Sequence, residues 1–134
     1  MKLDLTPLEK ALKTLKEALV VYDRDPNNDI VRDSCIQRFE YSYGLSTKML
    51  RRYLEITSDE KEVIDTVSFP DVIRMAAEKG LLRNSWDVWE KFRKARNQTS
   101  HTYDAKIAAE VMAVLPNFYE EASYLLQSLQ KGNA

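Results

Sequence analysis

The sequence is poor in the residues that build tight turns, disulfides and metal cages. Of 134 residues only three are Gly and four are Pro. That is too few for an all-β fold with many turns, and it points to long helices. The single cysteine, Cys35, excludes an internal disulfide framework and a multi-cysteine zinc site. With no basic or histidine neighbour close in sequence to activate it, Cys35 reads as a buried small residue in a reducing compartment. The single histidine, His101, excludes a site built from several imidazoles, and the Glu-x-x-His pairs of a di-metal bundle are absent. No metal and no cofactor is expected. No apolar run approaches the ~18–20 residues that span a bilayer, and Asp4 interrupts the first apolar residues, so no membrane contact and a cytoplasmic location are expected. Twenty basic against 21 acidic residues, a net charge of −1, excludes a generally basic nucleic-acid coat. Any nucleic-acid surface has to be a local patch.

What is present is a chain of one domain's length, residues 1–134, with 44% hydrophobic residues, enough for a full core. Leu5, Leu8, Leu12, Leu15, Leu19 and Tyr22 form one apolar stripe at helical spacing. Thr6 is expected to cap this helix and Pro7 to occupy its first turn, and Asp25–Asp29 makes the following turn. A second helix is predicted from Asp29 to Glu55, with Cys35, Phe39, Tyr43, Leu50 and Tyr53 near one face and Ile36 and Leu54 beside them. Gly44, Ser46 and Thr47 in its middle either admit a close neighbour or weaken it locally. The acidic stretch 55–65, which includes Glu60, reads as loop. Pro70 opens a short third helix that Gly80 closes. Ser85 is expected to cap a fourth helix carrying Trp86, Trp89 and Phe92.

The last helix is predicted from Asp104 to Gln130. Ala105, Ala108, Met112, Leu115, Tyr119, Ala122, Leu126 and Leu129 alternate by three and four, and Val111, Phe118 and Leu125 form a second row. Two rows imply more than one neighbouring helix. Pro116 inside it is expected to kink it, and residues 130–134 are expected to fray. The fold class is therefore all-α: an antiparallel up-and-down bundle of about three long and two short helices.

Packing explains most of the chain, but not Ala95–Asp104. This segment is polar, joins two helical patterns and holds the only histidine. On an unbroken helix Arg96 and His101 would be rotated apart by about 140°. Asn, Thr and Ser favour helix ends, so a break is expected here, with Arg96 ending one helix, His101 beginning the next, and both facing one cleft. Standing against this is the plain reading of a helix cap beside a surface histidine.

Several motifs in order resemble one family. Ile36-Gln-Arg-Phe-Glu-Tyr41 followed by Lys48-Met-Leu-Arg-Arg-Tyr-Leu54 resembles the second helix of the HEPN superfamily, in its branch of nucleotidyltransferase substrate-binding proteins. Phe69-Pro70 through Gly80-Leu-Leu resembles that branch's third helix. Trp89, Arg96-Asn97 and His101-Thr-Tyr103 resemble its R-x4-H-x-Y signature. The resemblance spans about residues 5–130. Family members often read roughly Glu-Leu-Ala-Trp-Lys where this chain has Gly44-Leu-Ser-Thr-Lys48, so Thr47 stands in place of a Trp.

The resemblance implies a helical homodimer that works beside a separate minimal nucleotidyltransferase in a hetero-oligomer. Its leading implication is a nucleotide-binding subunit that presents substrate to that enzyme. The alternative is a metal-independent ribonuclease toxin, silenced when the nucleotidyltransferase antitoxin adds AMP to the signature tyrosine. In either case Arg96, Asn97 and His101 are the implied catalytic or ligand-binding residues, with Tyr103 the implied modification site. A third reading is a bundle used only for assembly. The chain has no Gly-rich phosphate loop and no Asp pair in a Gly-Ser context, so it is not itself expected to be the nucleotidyltransferase. Histidine suits both proton-transfer roles in RNA cleavage because its unperturbed pKa is about 6.5, and Arg96 suits the charge that develops on phosphorus. One chain supplies one His, so two copies around one cleft are needed for acid and base together. Lys91, Arg93 and Lys94 are candidate phosphate contacts. Lys48, Arg51 and Arg52 read as a solvated helix face, Trp86 and Trp89 as core or dimer contacts, and Glu40 as a partner for Arg38 or a signature residue.

Overall fold

The computed structural model describes residues 2–59 and 61–133. Six α-helices and one 3-10 turn make up the described chain, with no strand among the described residues. Helices α1 (Thr6–Arg24), α2 (Asp29–Thr57) and α6 (Ala105–Gly132) are long; α3 (Lys61–Thr66), α4 (Phe69–Glu78) and α5 (Trp86–Asn97) are short. The bundle has one short helix more than the sequence predicts. Residues 55–65 are not all loop: α2 continues to Thr57, and α3 forms because Ile64 is fully buried and its carbonyl accepts a 2.9 Å hydrogen bond from Arg51 Nη1. Glu60 lies outside the described residues.

Side-chain pairs fix the helix directions. Arg38 Nη1 donates to the Thr14 carbonyl at 2.7 Å, and Thr14 Oγ1 meets the Tyr41 hydroxyl, so α1 and α2 lie side by side around these residues. Asn133 holds the backbone of Leu3 through two 2.8 Å hydrogen bonds, and Lys16 stands over the Tyr119 ring, so α1 and α6 also run antiparallel. In α5, Phe92 packs edge-on to Phe118, while Gln98 shares a groove with Glu110, which makes α5 antiparallel to α6. Taken in order, α1, α2, α5 and α6 go up, down, up and down. The leucine stripe of α1, the inner face of α2 and both apolar rows of α6 meet in a single core. Phe39, Tyr43, Phe92, Trp89 and Phe118 form its aromatic centre, with tilted or edge-on rings.

Several local expectations are corrected. Thr6 does not cap α1. Asp4 Oδ1 accepts the Thr6 backbone N–H at 3.0 Å, and that bond holds the Asp4 carboxyl below the usual carboxylate range. A carboxylate is the stronger acceptor for an unpaired helical N–H. Ser85 occupies the cap position of α5, but its carbonyl rather than its hydroxyl takes the bonds, from Val88 and Trp89. Gly44 is exposed, and a Cβ there would meet nothing, so it serves no close approach; the small residues facing inward are Ser42 and Ser46. The C-terminal residues do not fray through Asn133, since Asn133 clasps Leu3 and Gly132 leaves room for the Tyr53 ring.

Gly80 closes α4 as expected, at φ +77°, with the Leu81 N–H bonded to Ala76 O and the Gly80 N–H to Ala77 O. The turn that follows carries Arg83 and Asn84 onto α6. There Glu121, 1% exposed, accepts Arg83 through Nε at 2.7 Å and also through Nη2, and accepts Asn84 Nδ2 at 2.9 Å. Removing a partner from a buried ion pair strands the other charge. Because Arg83 is half exposed, it rehydrates and the penalty is partial. Glu121→Ala is expected to lower unfolding free energy by about 2–3 kcal/mol. A urea unfolding curve checks this, and a loss under about 0.5 kcal/mol would show that the clamp contributes little.

Candidate functional site

The last turn of α5 and the segment before α6 build the end of the bundle where the signature residues stand. Helix α5 stops because Gln98 takes the cap position, its N–H bonded to Ala95 O. The chain then tightens into a 3-10 turn, Thr99–His101. Two threonines hold it: Thr99 Oγ1 donates to Arg96 O at 2.9 Å and Thr102 Oγ1 donates to Thr99 O at 3.1 Å. Thr99 is buried and pins the turn to the core. Asp104 caps α6 by accepting the Lys106 and Ile107 N–H groups. The expected break between Arg96 and His101 is therefore present, caused by side chains that favour helix ends, but His101 ends the 3-10 turn and it is Asp104, not His101, that opens α6.

The signature side chains differ in exposure. His101 is exposed, its ring 6.4 Å from that of Tyr103, which is 86% exposed. Asn97 is exposed and Arg96 is half-buried. The charges of Arg93 and Arg96 act on the Tyr43 hydroxyl and favour its ionised form, but burial outweighs them and pushes the phenol above its ordinary value. Tyr43 is thus a neutral donor at the inner edge of this region. The charge of Arg96 reaches the Tyr43 hydroxyl, and the His101 ring stands beside that of Tyr103.

The basic residues before the signature do not form one cluster. Lys91 and Lys94 line a groove between α5 and α6 with Ala95, Gln98, Glu110 and Val114. Arg93 points the other way, its guanidinium 5.6 Å from the Phe69 ring centre and 5.9 Å from that of Trp86. There it joins Lys48, Arg51 and Arg52. Lys48 and Arg52 are exposed, as expected of a solvated helix face, while Arg51 is half-buried. With Tyr43, Thr47, Glu55, Phe69 and Arg93 they line a cavity of about 450 Å³. Thr47, where the family often has Trp, is one wall of it.

The other candidates resolve simply. Trp89 is fully buried and Trp86 packs edge-on to Phe69, so both belong to the core side of α5. Arg38 bonds to Thr14 O, and Glu40 is exposed with no ion pair among the described residues. Cys35 is fully buried, and burial raises its thiol pKa. No helix of the described chain is long and apolar enough to cross a membrane.

Residues 3–131 match the family described as nucleotidyltransferase substrate binding protein like. The chain belongs to that family. A curated relative from Haemophilus influenzae named "Probable ribonuclease HepT" is 36% identical over 140 residues, covering 98% of this chain and 95% of that protein. Among solved structures, HI0074 from Haemophilus influenzae, described as having the fold of a substrate binding domain of a nucleotidyltransferase, superposes with a TM-score of 0.88. It is 34% identical, covering 95% of this chain and 99% of that one. A protein from Thermus thermophilus superposes with a TM-score of 0.68 at 36% identity, covering 91% and 98% of the two chains. The helical bundle expected from the apolar stripes is thus the fold of this family.

Because His101 and Tyr103 are exposed and outside the core, their side chains do little for the fold. His101→Ala and Tyr103→Phe are each expected to change stability by no more than about 0.5 kcal/mol. Thermal unfolding followed by circular dichroism checks this, and a larger loss would assign these residues a structural role.

Proposed function

We propose that this protein is a metal-independent endoribonuclease that works as a homodimer beside a separate nucleotidyltransferase, which controls it by adding AMP to Tyr103. The observation that carries this reading is the exposure of His101 and Tyr103 on the turn after Arg96 and Asn97, a surface open to a macromolecular substrate and to a modifying enzyme. The name of the 36% identical relative supports the same reading.

In this reading the 2′-hydroxyl of RNA attacks the adjacent phosphorus. One imidazole takes the 2′-proton, the P–O5′ bond breaks, and a second, protonated imidazole donates to the leaving O5′. The products are a 2′,3′-cyclic phosphate and a 5′-hydroxyl end. Two chains supply the two His101 groups, and Arg96 stabilises the added negative charge on phosphorus. Silencing forms a bond between Tyr103 Oη and the α-phosphorus of ATP, with pyrophosphate leaving. A bulky anion beside His101 then repels the RNA backbone. The description of HI0074 favours a second reading, in which Arg96, Asn97 and His101 hold a nucleotide for the nucleotidyltransferase and do not cut.

The test is incubation of mixed RNA with the purified protein in excess EDTA, alongside His101→Ala. Cleavage by the wild type to 2′,3′-cyclic phosphate ends, with a loss of about 100-fold or more in the variant, is the expected result. Absence of cleavage by protein whose Tyr103 is unmodified by mass and whose dimer is intact would favour the binding-subunit reading.

A further inference from the structure

The cavity between α2, α4 and α5 is separate from His101, and the RNA-cleavage reading does not use it. We propose that it is a phosphate site, taking the phosphate groups of a nucleotide, either free or as part of an RNA strand, through Lys48, Arg52 and Arg93.

The charge arrangement is the first argument. The chain as a whole carries a net charge of −1, yet four cations, Lys48, Arg51, Arg52 and Arg93, converge on this cavity against one carboxylate, Glu55. Like charges gathered this closely repel one another, and nearby acids normally neutralise them. Arg51 is committed to the Ile64 carbonyl. Lys48, Arg52 and Arg93 make no ion pair among the described residues, so their donors remain for a ligand.

Placement is the second argument. Lys48 and Arg52 lie one turn apart on α2, so they stand on the same helix face. Arg93 comes from α5 across the cavity and is held in place by the Phe69 and Trp86 rings. A guanidinium stacked in this way keeps its fork of donors directed and loses little freedom when an oxyanion arrives. Tyr43 lines the same wall. Phe69 and Tyr43 give the cavity an apolar side beside its charged one. At about 450 Å³ it has the size of small-ligand pockets, and a Thr at position 47 presents only a small side chain to it.

Isothermal titration separates the sources of the phosphate. ATP and AMP form one arm, and a non-cleavable 2′-O-methyl RNA octamer forms the other. The proteins are the wild type, Lys48→Ala/Arg52→Ala, Arg93→Ala, and Lys10→Ala/Lys13→Ala as a control on α1, away from the cavity lining. Lys48 and Arg52 are exposed, so the double variant is expected to fold, and its circular dichroism melt verifies this. Binding of at least one arm by the wild type, at least tenfold weaker in Lys48→Ala/Arg52→Ala and in Arg93→Ala but unchanged in the control, is the expected result. A mononucleotide that binds identifies a free-nucleotide site; binding of the octamer alone identifies a subsite along an RNA strand. No binding of either arm at millimolar concentration, or equal binding by the wild type and the folded double variant, would overturn the proposal. The readout is binding and not cleavage, so it stands or falls independently of the reading of His101.

Discussion

One buried carboxylate sets where α5 begins. Glu121 lies inside α6 with almost no solvent exposure and is satisfied only by Arg83 and Asn84, which arrive on the turn after Gly80. A charge in such a place is tolerated only when it is paired and hydrogen-bonded. Its partners are therefore held, and with them the start of α5 just beyond Asn84 and Ser85. Once that start is fixed, the rotation of α5 about its axis is fixed too. Trp89, Phe92 and Ala95 turn inward, Arg93 and Arg96 turn toward α2, and Lys91 and Lys94 turn toward α6. The ion pair's net contribution to stability is modest by the usual accounting for such pairs. Its larger effect is positional, because it couples a polar turn to the middle of a long apolar face.

The aromatic centre works with this clamp. Phe118, three residues before Glu121 on the same face of α6, makes edge-on contacts with Phe39, Trp89 and Phe92. One α6 face thus holds α5 by rings and by charge, and holds α2 by rings. Tyr43 and Phe69 continue the ring contacts outward to Trp86 and Arg93. The aromatic core therefore grades into the cationic cavity without a break, and the stacked Arg93 is where the apolar interior ends and the charged surface begins.

The long helices were legible because their cause is local and repeated. A stripe of leucines at three and four residues can be buried in only one way, so α1, α2 and α6 follow from spacing alone. The polar break at Ala95–Asp104 was legible for the same reason: Asn, Thr and Ser compete for backbone groups within three residues of themselves. Features that depend on distant partners were not. Helix α3 offers two apolar residues in an acidic stretch, and its anchoring bond comes from Arg51, thirteen positions away. Asn133 finds Leu3 at the other end of the chain. Glu121 did leave a trace, since it lies in the inner row with Phe118 and Leu125, where a charge breaks the apolar pattern. Its partners are 37 and 38 positions earlier and carry no pattern of their own. The grouping of Lys91, Arg93 and Lys94 failed for a geometric reason. On a helix Arg93 is rotated by about 200° from Lys91 and about 100° from Lys94, so it cannot share the face that those two hold in common.

The site is also incomplete in a way that constrains its chemistry. The inward side chains of α5 are packed into the core, whereas Asn97 is exposed at its end and His101 and Tyr103 stand on the outer turn held by Thr99 and Thr102. A turn anchored by its own threonines keeps its shape while its outward side chains remain free. Such a surface is pre-organised but not enclosed, and enclosure raises the strength of electrostatic catalysis by excluding water. The proposed ribonuclease chemistry calls for such enclosure from a second molecule. In the homodimeric reading the second copy does so and brings the second imidazole with it, so one association completes both the acid–base pair and the water-free cleft. On that same reading the exposure of Tyr103 has a consequence: a group added to its hydroxyl stands beside His101, and its phosphodiester opposes an anionic substrate.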